Sequence, residues 1–288
     1  MFRITLMLVT LLTVLAAPLR GAAPEWETVG DLLTALETAG GELQTLAADV
    51  YWADTSFLNG DTTVREGRFY FTQGQAELDG FRPRTFAAHF TVLIVDGRRF
   101  ADTYDQRFVF DGAWFTQIRD KQDDRYYERR RVAPPGQRID PLRLGQGPMP
   151  IPIGQSRESI EERFEAELLE PLEGVEDLTG DVFALGWENA VQLRLTPRPD
   201  YAPTADFREV RLWYDRDTLL PRMARTTRRQ GGDDSVLVLY NVERNVEIPA
   251  AVMDVTEPPD GQGWDKNIKD DRVEPAPPPP SGAQGANS

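Results

Sequence analysis

The hydrophobic positions change period along the chain. In WETVGDLLTALETAGGEL, Val29, Leu32, Leu33 and Leu36 recur at helical spacing. That spacing predicts one amphipathic helix with Gly40-Gly41 as its C-cap. From residue 43 the period drops to two. TLAADVYWAD puts Leu46, Ala48, Val50 and Trp52 on one face, VREGRFYF puts Phe69 and Phe71 together, and FAAHFTVLIV places Phe86, Ala88 and Phe90 opposite Ala87 and His89. Asp96-Gly97 and Asp111-Gly112 are strong hairpin turns between such runs. Alternation resumes in AVQLRLTP, DFREVRLWYD, LLPRMARTT and SVLVLYNVERN. The sum is a mainly β fold with some helix (α+β): an antiparallel, strongly curved, unclosed barrel of about ten strands.

One stretch fits neither period. PPGQRIDPLRLGQGPMPIPIGQ is broken by Pro and Gly yet carries Leu142, Leu144, Met149, Ile151 and Ile153. Its prolines exclude a regular strand or helix, and it is too apolar for a solvated linker. It is expected to lie on an apolar surface. SRESIEERFEAELL follows, read as a helix with Ile160, Phe164 and Leu168 on one stripe and Ser159 and Glu162 as a capping box. Residues 134–169 together read as a lid inserted over the open mouth of the sheet.

The lid decides how the large strand residues are read. Trp52, Phe69, Phe71, Phe86 and Phe90, with Trp114, Leu193, Leu212 and Met223 from later strands, are the candidate interior. Alternation alone favours an ordinary filled, dry core over a ligand cavity. An amphipathic cover arriving from a long connection favours a cavity for an apolar ligand.

Composition narrows the chemistry. The 288 residues include no cysteine and one histidine, His89, and the net charge is −15. Disulfides, thiolate nucleophiles and Cys-based metal sites are excluded, and a His-centred triad has little to build on. No metal and no cofactor are expected. Acids are abundant, but no carboxylate pair stands in a recognisable hydrolytic context, so no enzymatic role is expected. So acidic a chain is a poor partner for nucleic acid. RYYERRR at 125–131 is a local basic cluster, read as the polar face of a strand or as a docking patch for an acidic partner. The opening MFRITLMLVTLLTVLAAPLRGAAPEW has a basic start, a short apolar run and small residues. It reads as a signal peptide over 1–23, which implies a periplasmic protein. Residues 24–262 read as one domain. EPAPPPPSGAQGANS has no means of forming a core, so 263–288 read as a disordered Pro-rich tail.

Several segments also resemble the periplasmic outer-membrane lipoprotein carriers (LolA-like). LAADVYW at 46–52 is similar to that family's first strand, and GRFYF at 67–71 to its second. FRPRTF at 81–86 is similar to its R-P-x-x-F through Arg82, Pro83 and Phe86, and VFDGAWF at 109–115 to its strand-turn-strand. LYNVERNVEIPAAVMDVTEPPDG resembles its closing strand. The motifs run in family order over roughly 43–262. The resemblance implies an unclosed β-barrel with a helical lid that binds the acyl chains of lipoproteins or related lipids. It also implies an inner-membrane release complex as donor, an outer-membrane acceptor, and a monomeric carrier. It makes Arg82 the latch, bonding to lid carbonyls. An extra hairpin, a longer lid and the tail depart from the family pattern. A related half-barrel that senses lipoproteins and signals to a partner is the alternative.

Overall fold

The computed structural model describes residues 26–270 except 57, 79, 102, 122–123, 135–138, 141, 143, 145–152 and 230–232. The signal-peptide reading and lid residues Met149 and Ile151 lie outside them. Helix α1 (Val29–Glu42) starts where the Thr28 side chain accepts from the Asp31 amide, and it buries Leu32, Leu33 and Leu36. Strands β1 (Thr45–Thr55), β2 (Thr62–Gln73) and β3 (Arg84–Val95) follow, then the short β4 (Arg98–Phe100), β5 (Gln106–Phe110), β6 (Trp114–Lys121) and β7 (Asp124–Arg131). The lid leads into α2 (Arg157–Arg163), β8 (Phe164–Leu169) and α3 (Asp181–Trp187). Strands β9 (Ala190–Pro197), β10 (Phe207–Asp215), β11 (Pro221–Arg228), β12 (Asp234–Arg244) and β13 (Trp264–Lys269) complete the fold.

All 13 strands belong to one sheet, ordered β13-β7-β6-β5-β3-β2-β1-β12-β11-β10-β9-β8, with β4 alongside β3. The ends, β13 and β8, do not pair, so the curved sheet stays open. Each described pairing is antiparallel except β13 with β7. Among the described residues no helix is long and apolar enough to cross a membrane.

Asp49 on β1 has a structural task. It accepts from Arg68 on β2 and from Asn241 on β12, at the point where the β1–β12 register shifts. Asn241 and Asn245 both adopt positive φ, which Asn tolerates better than most residues.

Three expectations are corrected. The helix read over SRESIEERFEAELL ends at Arg163, and Phe164–Leu169 is an edge strand on β9. A spacing of four residues keeps side chains together on a helix and also, being even, on a strand. The stripe Ile160, Phe164, Leu168 therefore fits either conformation, and the unfilled edge of β9 selects the strand. The cap is Ser156, which accepts from the Ser159 amide. Second, Gly40-Gly41 lie inside α1 rather than capping it. Third, residues 264–269 form β13 and extend the sheet, inside the stretch that composition assigns to the tail.

Candidate ligand-binding face and its lid

The sheet has an inner and an outer face. On the inner face, Phe69, Phe71, Phe86 and Phe90 are fully buried with Leu46, Val50, Leu237 and Leu239 in one cluster, which Trp52 adjoins. Lid residues Leu142 and Ile153 sit in the same cluster. Leu193 and Leu212 join a second cluster, under α1, with Leu144, Ile160 and Phe164. The structure thus brings seven of the nine expected interior residues onto the inner side, together with every described lid residue.

Trp114 and Met223 are on the outer face instead. The guanidiniums of Arg129 and Arg131 lie over the Trp114 ring, at 5.0 and 4.8 Å from its centre. Its neighbour Phe115 pairs with Phe110 across the Asp111-Gly112 turn and packs inward, with Phe108 and Phe115 stacked at 5.8 Å. Two adjacent aromatics leave the facing undecided until the turn sets the register. Met223 packs with Trp213, Val236 and Val238 under α3. That outer stretch is also covered, so both faces are apolar there and alternation does not choose between them. Phe108, Phe110 and Phe115 were not among the expected interior residues; QRFVF carries two of them at strand spacing.

The lid is fastened from the sheet by an arginine, but not the expected one. The hydrogen bond described for Arg82 runs from Nη1 to the Gly41 carbonyl of α1, at 2.8 Å. Arg84, two residues on, reaches the lid. Its Nη1 donates to Asp140 at 2.6 Å, its Nη2 to the Gly154 carbonyl at 2.9 Å, and its Nε to Gln73 at 2.8 Å. Gln73, opposite Arg84 in the β2–β3 register, donates in turn to the Gly40 and Leu43 carbonyls. Asp140 accepts from the Leu142 amide, and Gln155 donates to the Leu142 carbonyl. One buried guanidinium therefore ties the rim of the sheet, the end of α1 and both ends of the lid. In FRPRTF the two arginines are chemically alike. Parity does not separate them, since both match Phe86 and Phe90; Arg84 is the first residue of β3, whereas Arg82 precedes the strand beyond Pro83.

Glycine permits the closure. A Cβ on Gly40 would lie 2.2 Å from the Gly154 Cα, so the two backbones touch only because neither carries a side chain. Gly154 also adopts φ +57°.

An apolar cleft among the described residues, lined by Leu33, Leu36, Ile153, Ile160, Leu193 and Leu212, holds about 30 Å³. Leu142 and Ile153 pack into the apolar cluster of the inner face.

The remaining candidates are accounted for locally. His89 is on the outer face, its Nε2 3.0 Å from Asp105. That hydrogen bond, ahead of the opposing effect of burial, lowers the Asp105 carboxyl below its usual range. In the 125–131 cluster, Arg125, Arg129 and Arg131 pair with Asp120, Asp111 and Asp270.

No protein-family model matches the chain, and no curated protein matches it. Solved structures do. A DUF1329 family protein from Desulfovibrio piger is similar at 13% identity and TM-score 0.34, over 78% of this chain and 95% of that one. MucB, in the Pseudomonas aeruginosa MucA/MucB complex, is similar at 15% identity and TM-score 0.36, over 78% of this chain and 60% of that one. A LolA superfamily protein from Nitrosomonas europaea is similar at 11% identity and TM-score 0.28, over 79% and 97%.

Proposed function

We propose that the protein is a periplasmic carrier that binds acyl chains of lipoproteins or related lipids on the inner face and passes them toward the outer membrane. One observation carries the reading: an aromatic-lined inner face is covered by a Pro-broken segment whose ties to the sheet strands, among the described residues of 139–156, are made by Arg84. The lid's own Leu142 and Ile153 stand in for cargo at rest. Acyl burial contributes roughly 25 cal/mol per Å², offset by displacing those two side chains. Charge-assisted hydrogen bonds are worth about 1.5–3 kcal/mol each. Arg84 therefore sets the balance between a closed and an open lid that differ by a few kcal/mol. The latch role that the family resemblance gives to Arg82 passes to Arg84. No catalytic group is needed.

The alternative of a sensor drew on the 125–131 cluster as a docking patch. Three of its arginines are neutralised within the chain, which supports the carrier over the sensor. Native mass spectrometry of protein recovered from its own periplasm tests the carrier. A bound diacyl or triacyl species is the expected result, and protein free of lipid in every preparation would contradict it.

A further inference from the structure

The inner face is graded along the strands. Successive inward pairs between β1 and β2 run Leu46–Phe71, Ala48–Phe69, Val50–Gly67, Trp52–Arg65 and Asp54–Thr63. Between β5 and β6 they run Phe110–Phe115, Phe108–Gln117 and Gln106–Arg119. On β12 the inward residues run Leu239, Leu237 and Ser235. Each begins apolar at the Arg84 end and becomes polar at the far end. Leu46 to Trp52 spans about 20 Å of strand.

Two arginines stand at the polar end. Arg65 lies over the Trp52 ring at 5.4 Å and donates from Nη1 to Asp54 at 3.0 Å. Arg119 donates from Nη1 to Asp124 at 2.8 Å. The Nε of each is buried and has no hydrogen-bond partner among the described residues. Tyr104 lies near both: its hydroxyl donates to Gln106, and the charges of Arg65 and Arg119 act on it. The carboxylates facing the pair are Asp54 and Asp124, the second more than half exposed. Glu128 is held by Lys269. Trp52 and Phe108, the rings next to this end, are half-buried, unlike the sealed phenylalanines near the lid.

We propose that the inner face takes an anionic amphiphile, its acyl chain against Phe69, Phe86 and Phe110 and its phosphate or carboxylate head against Arg65 and Arg119. Guanidinium forks match both oxyanions, and an anion satisfies donors that have no partner among the described residues. The proposal rests on the acyl-chain reading above and adds the charge of the head and its orientation.

The test titrates the full chain with oleate, lysophosphatidic acid and uncharged monoolein, each as monomer, with inorganic phosphate as competitor. The anionic lipids are expected to bind about tenfold more tightly than monoolein. Arg65→Gln/Arg119→Gln is expected to abolish that preference while monoolein affinity stays unchanged. If the double variant does not fold, Arg119→Gln alone, at a more exposed position, is expected to reduce the preference about threefold. Monoolein binding as tightly as the anionic lipids, or a preference that survives the substitutions, overturns the proposal. Phosphate displacing oleate completely overturns the lipid source and assigns the arginines to a free anion. Binding by none of the three lipids brings down the acyl-chain reading itself, a distinct failure.

Discussion

The sheet is covered on both faces, and the two covers are fastened in opposite ways. On the outer face, residues 170–188 are held from three successive strands. Gln192 on β9 donates to the Glu170, Pro171 and Glu173 carbonyls. Trp213 and Arg211 on β10 donate to Pro171 and Glu173. On β11, Arg225 grips Asp177 through two bonds of 2.8 Å, and Arg222 bonds the Leu185 carbonyl. On the inner face, the described ties from the sheet strands to residues 139–156 are those of Arg84, and Arg163 of α2 holds the Leu144 carbonyl. Distributed fastening makes a cover part of the global fold, because losing one bond frees nothing. Concentrated fastening makes a cover that opens as a unit, which is what a cargo site requires.

The largest expected break of this contrast is Trp213→Ala. Trp213 is fully buried under the outer cover, and its truncation should cost about 3–5 kcal/mol. The loss should be global, with a lower urea midpoint and faster amide exchange across the sheet. Loosening confined to 170–188 would show that the outer cover is as separable as the lid.

Arg84→Met is next. It leaves Asp140 and the Gly154 carbonyl without their partner and should cost about 2 kcal/mol locally. Amides of Leu142, Leu144 and Ile153 should exchange about thirtyfold faster while those of β9–β12 keep their rates. Arg82→Met removes a bond to α1 only, and should raise the same lid rates no more than about fivefold. Equal effects at the two positions would erase the distinction between them.

Gly40→Ala sharpens the contrast sterically. The added methyl meets the Gly154 backbone, so the lid retreats at a cost of about 1–2 kcal/mol. Limited proteolysis should then cut within 139–156 sooner than in the native chain, with the thermal midpoint of the sheet shifted less than in Trp213→Ala.

The smallest effect separates the faces by pH. The hydrogen bond from Arg225, opposed in part by burial, lowers the Asp177 carboxyl, and His89 does the same for Asp105. A carboxyl lowered in the folded state contributes stability above its unfolded pKa, and that contribution is lost as pH falls through its folded pKa. Both groups lie on the outer face, so acid below about pH 4 should loosen that side first. Asp177→Asn should flatten part of this acid limb. An unaltered pH profile would remove Asp177 from the account.

Alternation made the strands legible near the lid because the inner positions there are sealed by something apolar. Phe86 and Phe90, or Leu193 and Leu212, could be assigned to one side from period two alone. It failed where a second layer covers the outer face. Met223 and Trp213 look like interior residues because α3 makes them so from the other side, and α3 has no start signal, its N-cap being Gly180 without a side-chain bond. The lid was legible as an apolar segment that could be neither strand nor helix. Its fastening was not, since Arg82 and Arg84 differ only in which side of the rim they reach. The two inner arginines, Arg65 and Arg119, lie in separate hairpins, and only the strand register brings them to one end of the face.

The central claim is that an acyl chain enters the inner face when the lid opens. Trp52 reports on that face directly. Its fluorescence should be quenched saturably by a brominated stearate, the quenching should vanish in Trp52→Phe, and Arg84→Met should bind the same probe faster. Absence of saturable quenching in both the native chain and Arg84→Met would contradict the claim and leave the inner face as a filled core.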